Sequence, residues 1–291
     1  MNNVTSETAY DYVIVGGGSA GCVLANRLSA DPAVSVLLLE AGPDEEPFWV
    51  RTPAGLGNVF FDARLNWKFS TEAEPNLAGR NLYWPRGKIL GGSSAINGMV
   101  YMRGFAYDYD RWQALGNEGW SYDEVLPYFK RAETNDRGES RYRGGSGPLR
   151  VSYPHHQYPA TRAFVQAGAE LGLARHDDVA SNTQEGIGFM QHTIGDGKRS
   201  STARAYIAPV RSRRNLTVTG DAIVCRVRFQ ERRATGVEYR QSGTTHFAQA
   251  RREIILCAGA IGSPQLLMLS GLGDPEHLAQ QGIPVVHALP G

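Results

Sequence analysis

Three glycines near the start of the chain have the spacing of a phosphate-binding turn. Gly16, Gly18 and Gly21 follow a short apolar run and precede a stretch with helical periodicity. In such a turn the first glycine permits a tight bend, the second lets the backbone approach a pyrophosphate, and the third lets helix and strand pack closely. Backbone N–H groups at the helix start, those of Ser19 and Ala20 among them, attract phosphate oxygens. The pattern predicts an adenine dinucleotide site without separating FAD from NAD.

An acidic residue stands where the ribose of such a dinucleotide would be bound. Glu40 lies 19 residues beyond Gly21, at the end of the next apolar run, and Ala41 follows it. A carboxylate at this place accepts hydrogen bonds from the ribose hydroxyls and repels a 2′-phosphate. We therefore expect Glu40 and Ala41 to belong to the nucleotide site.

A second glycine cluster offers another set of bare backbone donors. Gly91 and Gly92 precede two serines, of which Ser93 is the first. A flavin enzyme needs a flat backbone wall and donors beside its ring, whereas a nicotinamide enzyme does not need this second loop. The spacing alone also fits a glycine-rich helix start. Arg86, beside Trp84, either balances flavin or phosphate charge or is a surface arginine.

The elements that must position these residues form a strand–helix–strand unit. The apolar run Tyr12–Val15 ends at the first glycine cluster, helical periodicity covers Ser19–Ser29, and a second apolar run, Val34–Leu39, closes on Glu40. Apolar runs of this length are typical of buried parallel strands. The whole segment has the length of a compact βαβ unit.

The middle of the chain predicts irregular structure followed by helices. Residues 42–84 are rich in Pro, Gly, Asn and aromatic residues, which indicates a long loop region. Residues 111–132 form two helical pieces broken around 116–119, and Ser121 with Glu124 predicts a capping box for the second piece. Thr161–Leu171 is predicted as an amphipathic helix.

The last third predicts strands and one further helix. The runs Leu216–Thr219, Ile223–Phe229 and Gly236–Tyr239 indicate an antiparallel β-meander or hairpins. Glu253–Cys257 reads as another strand, with a helix beginning at Ser263–Pro264, because proline is tolerated in a first helical turn.

Composition excludes several classes of protein. Lysine and arginine number 30 against 29 aspartates and glutamates, which argues against a nucleic-acid binder. No apolar run reaches the ~18 residues of a membrane span, and the N-terminus lacks a signal-peptide core, so we expect a cytoplasmic protein. The three cysteines have no metal-site spacing, so no metal is predicted.

Two long motifs make the chain resemble the glucose–methanol–choline (GMC) oxidoreductases. Gly87–Asn97, with Tyr101, Gly104 and Asp110, resembles the first family signature, and Gly259–Gly273 resembles the second. With the N-terminal βαβ unit, the resemblance covers essentially the whole chain. It points to the choline-dehydrogenase and aliphatic-alcohol-dehydrogenase branch.

The resemblance implies FAD, with the ADP half at the first glycine cluster and Glu40. The flavin would lie along the second cluster, and the backbone of Val224 would hydrogen-bond the adenine. Some family members tether FAD through a histidine just before the position of Asn97, where this chain has Ile96; we therefore predict a non-covalent cofactor. The expected cofactor-binding residues are Gly16, Gly18, Ser19, Ala20, Gly21, Glu40, Ala41, Arg86, Gly87, Gly91, Gly92, Ser93, Asn97, Gly98, Met99, Val100, Val224, Ala258 and Gly259.

The fold class implied is α/β: an FAD-binding, Rossmann-like doubly wound domain with a β-meander, and an incomplete α+β substrate domain. Residues 1–150, with the loop or lid region 42–84, and residues 215–291 are expected to form the two parts of the FAD-binding domain. Residues 151–214 are expected to form part of the substrate-binding domain.

The activity implied is oxidation of choline or a primary alcohol to the aldehyde by hydride transfer to flavin N5, with electrons passing to an unidentified acceptor. Family members continue past the equivalent of Gly291, and their catalytic histidine lies near the far C-terminus. None of the seven histidines here falls on it. We therefore expect the catalytic histidine outside this chain and a C-terminal complementing segment as partner. A non-catalytic FAD-binding remnant and an NAD-dependent dehydrogenase remain the alternatives.

Overall fold

The computed structural model describes residues 7–179, 181 and 185–290. Within these residues the chain forms α-helices and β-strands. The α-helices are α1 (Ser19–Leu28), α2 (Phe48–Arg51), α3 (Leu56–Phe60), α4 (Ala106–Ala114), α5 (Tyr122–Ala132), α6 (Pro159–Glu170), α7 (Gly259–Leu269) and α8 (Pro275–Gln280). The strands are β1 (Glu7–Val15), β2 (Val36–Leu39), β3 (Phe69–Ser70), β4 (Tyr83–Trp84), β5 (Val100–Tyr101), β6 (Glu133–Asn135), β7 (Leu149–Val151), β8 (Arg175–His176), β9 (Ile187–Gly188), β10 (Gln191–His192), β11 (Ile194–Gly195), β12 (Lys198–Arg199), β13 (Leu216–Thr219), β14 (Ile223–Gln230), β15 (Arg233–Gln241), β16 (Thr244–Leu256), β17 (Leu272–Gly273) and β18 (His287–Ala288).

The largest sheet has six strands in the order β13-β2-β1-β16-β15-β14. The first four are parallel to their neighbours, and β16, β15 and β14 form an antiparallel meander. All four residues of β2 are buried, which explains why the strand is apolar without alternation. The sheet confirms the α/β class and the predicted βαβ unit.

Leu216–Thr219 does not belong to the meander, so that part of the strand prediction is wrong. This segment, β13, pairs in parallel with Val36–Leu39 on the opposite side of the sheet. The buried strand β2 needs a hydrogen-bonding partner on both edges, and β13 supplies the outer one. Apolar alternation marks a strand, but it carries no information about which neighbour the strand pairs with.

The capping box predicted for α5 is present, but the helix after β16 begins at a different residue than predicted. Ser121 caps α5, with its Oγ and Glu124 forming the predicted capping box. The helix after β16 begins at Gly259 rather than at Ser263–Pro264, so Pro264 lies inside α7. The first-turn placement of this proline was therefore wrong. Its missing N–H removes a single i→i−4 bond in the middle of the helix, which the fold tolerates.

Contacts divide the chain into two compact units. The first comprises residues 1–50, 54–96 and 202–291, and the second comprises residues 51–53 and 97–201. These limits differ from the predicted domain limits at 150/151 and 214/215. Compactness does not test which residues bind a cofactor or a substrate, so the functional division of the chain stays a prediction.

A cluster of buried charges lies inside the second unit. Glu133, at the end of α5, is fully buried and forms ion pairs with Arg103 and Arg143, whose side chains are also buried. Asn135 donates to the other oxygen of Glu133, and Arg143 also pairs with Asp178. Charged side chains that are buried in this way are stable only when they are paired and hydrogen-bonded. The cluster therefore ties α5 and β6 to two loops of the unit.

Among the described residues, no helix has both the length and the apolar character required to cross a bilayer. Within the same part of the chain, no three histidine, cysteine, aspartate or glutamate side chains are grouped closely enough to hold a metal ion.

Candidate functional site

Two glycines of the turn after β1 are required because backbone atoms lie close to them. Gly16 has φ +100°, and a Cβ there would lie 2.5 Å from the carbonyl oxygen of Cys257. A Cβ on Gly21 would lie 2.0 Å from the carbonyl oxygen of Gly16. Both glycines are thus required by backbone packing where β1 passes into α1.

Gly18 is not required by packing. A Cβ at this residue would have a single neighbour within 4 Å, the Cys257 carbonyl oxygen at 3.8 Å, and its φ of −75° suits any residue. Gly18 is the N-cap of α1, where no side chain caps the helix, and Ser19 and Ala20 in the first turn are exposed. The N–H groups of a helix start lack intrahelical partners. The structure therefore leaves an open cradle with backbone donors at the place predicted for a pyrophosphate.

Glu40 closes the other side of this turn. Its Oε2 accepts from the backbone N–H of Gly17 at 2.9 Å, and its Oε1 accepts from Gly42 N–H at 3.0 Å. Burial raises the pKa of Glu40 to about 7, because desolvation outweighs these hydrogen bonds and the nearby charge of Lys88. The predicted ribose acceptor thus lies at the carboxyl end of β2, in direct contact with the glycine turn.

We expect the stability of the ligand-free chain to fall as pH rises from 4.5 to 7. In this interval the folded chain keeps a proton on Glu40 that the unfolded chain, with its usual pKa of 4.5, has released. The loss amounts to about 3 kcal/mol on complete ionisation. Urea unfolding of wild type and Glu40→Gln at a series of pH values measures it, because the variant lacks this titration. Identical pH dependence in the two proteins would contradict the assignment.

The second glycine cluster contacts the first. The N–H of Gly91 donates to the carbonyl oxygen of Gly17 at 2.7 Å. Gly92 has φ +53°, and a Cβ there would lie 2.7 Å from the Cα of Gly18. Gly87 packs behind this loop, since its Cβ would lie 2.2 Å from the Gly92 carbonyl oxygen, and its N–H donates to Ser93 Oγ at 3.1 Å. Both predicted clusters therefore form one surface of bare backbone.

The hydroxyl groups of Ser94 and Thr202 hydrogen-bond to the second glycine cluster or to each other. Ser94 Oγ donates to the carbonyl oxygen of Gly91 at 2.6 Å and accepts from the N–H of Thr202 at 3.0 Å. The hydroxyls of Ser94 and Thr202 lie 3.0 Å apart. The segment around Thr202 is far away in sequence, so the sequence analysis missed this support. The run Ser200-Ser201-Thr202 was the signal in the sequence that could have indicated hydroxyl groups near this cluster.

The end of β16 forms a third side of the same turn. Cys257 N–H donates to the carbonyl oxygen of Val15 at 2.7 Å, and its own carbonyl faces Gly16 and Gly18. Ala258 and Gly259 follow and are exposed. The carboxyl ends of β1, β2 and β16 thus meet at one edge of the sheet, which is where open α/β sheets bind ligands. Gly17 and Cys257 were not among the predicted residues; both contact the turn through backbone atoms.

Three predicted residues of the first unit lie apart from this turn or contact it little. Val224 lies on the edge strand β14, separated from β16 by β15, at a bulge that shifts the pairing register. The guanidinium of Arg86 stacks on Trp84 and donates to the Pro85 carbonyl, so its contacts are local. Ala41 follows Glu40 and is half-buried. Their roles at a cofactor stay predictions.

Asn97, Gly98, Met99 and Val100 belong to the second unit. Asn97, Gly98 and Val100 are exposed, whereas Met99 is buried and has φ +62°. Asn97 Oδ1 accepts from the N–H of Met99 at 3.0 Å, which closes a tight turn. The four residues form a shelf whose exposed members are Asn97, Gly98 and Val100, and contact of this shelf with a flavin stays a prediction.

Comparison with known proteins gives consistent matches. The family model described as GMC oxidoreductase matches residues 10–289. Human mitochondrial choline dehydrogenase is 50% identical over 293 residues, which cover 98% of this chain and 49% of the human protein. The crystal structure of pyridoxine 4-oxidase from Mesorbium loti superposes with a TM-score of 0.92 at 37% identity, covering 97% of this chain and 55% of that one. An FAD-dependent oxidoreductase from Chaetomium thermophilum gives a TM-score of 0.89 at 34% identity, covering 97% and 51%.

The chain spans about half the length of the curated relatives it matches. Its aligned segment contains both predicted glycine clusters and Glu40, since these lie within residues 10–289.

Proposed function

The chain belongs to the GMC oxidoreductase family, and from this membership we propose that it forms the FAD-binding part of an enzyme that oxidises an alcohol to an aldehyde. Choline is the substrate we propose first, because the human relative is named a choline dehydrogenase. Another primary alcohol is the alternative, since the Mesorbium loti relative is named a pyridoxine 4-oxidase.

The observation that carries the proposal is the contact between the two glycine clusters. Gly91 N–H binds the Gly17 carbonyl, and Gly92 approaches Gly18 too closely for a side chain. A nicotinamide site requires only the first cluster, whereas a flavin also needs a backbone wall with donors beside its ring. The open cradle at Gly18 is consistent with this ligand, since nothing in the protein fills it.

The residues of the first unit supply binding and orientation. FAD, when bound, supplies a ring that accepts a hydride from the carbon carrying the hydroxyl group. We propose that the N–H groups at the start of α1 bind the pyrophosphate and that Glu40 accepts from the ribose. The backbone of Gly91–Ser93 would face the cofactor, and Val224 would offer backbone groups of an edge strand to adenine.

The cofactor is expected to be released when the protein is denatured. Ile96 occupies the position where some relatives carry a tethering histidine, and its side chain is buried with Val50, Val59 and Ile89. An aliphatic side chain cannot form the covalent bond. Acid precipitation of the yellow protein, followed by spectroscopy of pellet and supernatant, measures the release. Flavin colour that stays with the precipitated polypeptide would contradict the prediction.

Turnover separates the proposed function from its alternatives. The purified chain, loaded with FAD, is mixed with choline or another primary alcohol and an artificial electron acceptor, and acceptor reduction is followed. Reduction that depends on the alcohol supports the proposal. FAD binding without turnover favours the alternative, a non-catalytic FAD-binding chain. Binding of NAD without flavin would contradict both.

A C-terminal complementing segment is part of the proposal. Several large apolar side chains of the second unit are exposed, among them Leu115 at 72%, Phe164 at 72% and Leu171 at 84%. Exposed apolar side chains mark an interaction site when they form a continuous patch, so these residues are candidate contacts for that segment. Co-expression with the second half of a choline dehydrogenase should raise turnover if that half supplies a proton acceptor for the alcohol. The cytoplasmic location stays a prediction, and the human relative is named mitochondrial.

A further inference from the structure

Arg199 is a fully buried, charged side chain that the proposed cofactor site has not used. It lies on β12 in the second unit with no exposed surface. Its Nη1 donates to the backbone carbonyl of Asn97 at 2.7 Å and to the side-chain Oδ1 of Asn97 at 2.9 Å. One nitrogen of Arg199 thus donates to both acceptor groups of Asn97, a residue 102 positions earlier in the sequence.

These bonds fix the direction of the Asn97 amide. Oδ1 accepts from Arg199 and from the N–H of Met99, and both partners are donors, so the atom in this position has to be the oxygen. Because Oδ1 and Nδ2 lie on opposite sides of Cγ, Nδ2 points away from Arg199. Asn97 is exposed although the guanidinium below it is buried. The donor end of the amide is therefore presented on the open side of the shelf.

The rest of the turn is held equally firmly. Met99 has φ +62°, a conformation that a side-chain-bearing residue adopts only when its surroundings impose it. Thr193 N–H donates to the Met99 carbonyl at 2.8 Å, which gives the turn a second hydrogen-bonding partner besides Arg199. A Cβ on Gly98 would have no neighbour within 4 Å. The described residues thus contact Asn97 and Met99 and leave the position of a Gly98 Cβ open.

Building on the proposed function, we propose that Arg199 is a positioning residue for the flavin. It sets the turn 97–99 and fixes the direction of the Nδ2 of Asn97, a residue that we predict to contact the flavin. Residue 199 then controls flavin affinity and the flavin spectrum without touching the cofactor. Lysine cannot replace arginine here, because its side chain ends before the position that Nη1 occupies and it has no planar group to hold that geometry.

Arg199→Lys tests this inference while keeping the charge. We expect its FAD dissociation constant to rise at least about tenfold, because bonds from a charged donor to Asn97 are lost. The visible absorption maxima of the bound flavin should shift as well. Lys198→Met, an exposed neighbour on the same strand, is the matched control and should bind FAD like wild type. Circular dichroism and the melting temperature of the FAD-free proteins report on folding.

A double-mutant cycle separates positioning from a general structural role. In an Asn97→Ala background, Arg199→Lys should change FAD affinity less than it does in the wild-type background, because the amide that it positions is absent and only the bond to the backbone carbonyl of residue 97 remains. An equal loss of affinity in both backgrounds, or an unchanged affinity and spectrum in Arg199→Lys, would overturn the inference. A wild-type chain that binds no FAD would overturn the proposed function and the positioning role together.

Asn97→Asp gives a second test if Arg199→Lys does not fold. Aspartate keeps the acceptors for Met99 N–H and Arg199 but replaces the outward donor with an oxygen. We expect the FAD-free protein to melt as wild type does, with an FAD dissociation constant at least about tenfold higher. An unchanged dissociation constant would overturn the inference.

Discussion

Gly18→Ala is expected to weaken FAD binding at least about 100-fold while the FAD-free chain still folds. The added methyl group would meet only one protein atom within 4 Å, at 3.8 Å, so it fits the fold without a ligand. It would, however, occupy the cradle in which the backbone must approach the pyrophosphate. As alanine is a poorer N-cap than glycine, the stability cost is limited to about 1 kcal/mol. Fluorescence titration with FAD and urea unfolding of the FAD-free protein measure the two effects.

Two other glycines serve as controls for this variant. Gly57 lies in α3, is exposed and would have no neighbour within 4 Å for a Cβ, so Gly57→Ala should leave FAD affinity unchanged. Gly21→Ala places its Cβ 2.0 Å from a backbone oxygen and should prevent normal folding. If Gly18→Ala binds FAD as tightly as wild type, the phosphate site does not lie at this turn.

Glu133→Ala is expected to destabilise the second unit by about 3–5 kcal/mol. The substitution leaves the buried guanidinium groups of Arg103 and Arg143 without the carboxylate between them. It also removes the acceptor for the Asn135 amide. Burying an unpaired charge costs more than the ion pair contributes, so the loss exceeds that of an ordinary salt bridge. The urea midpoint of the far-ultraviolet circular dichroism signal measures it.

Glu139→Ala is the matched control for Glu133→Ala. Glu139 lies in the same unit and pairs with Lys130 at 3.1 Å, but its side chain is 68% exposed. Exposed pairs of this kind contribute about 0–1 kcal/mol, so the control should unfold nearly as wild type does. Similar urea midpoints for both variants would show that the buried cluster does not hold the unit together.

The local secondary structure and turns of this protein could be predicted from its sequence. The βαβ unit follows from apolar runs and helical periodicity, and the capping box of Ser121 and Glu124 involves partners only three residues apart. The spacing of Gly16, Gly18 and Gly21 likewise concerns one turn and one helix start. Hydrogen bonds and side-chain periodicities of this range are properties of a short segment, so the sequence of that segment is enough to predict them.

Partners distant in sequence were decided by the tertiary structure alone. Leu216–Thr219 showed its strand character, but only the completed sheet placed it beside Val36–Leu39. The same holds for Gly91 against Gly17, for Thr202 beneath Ser94, and for Arg199 beneath Asn97. A residue's type fixes what it can donate, accept or bury, whereas the path of the whole chain fixes which of many equivalent partners it meets. For that reason the sequence could suggest the residue types of a candidate cofactor site, whereas the distant side chains that hydrogen-bond to those residues emerged only from the tertiary structure.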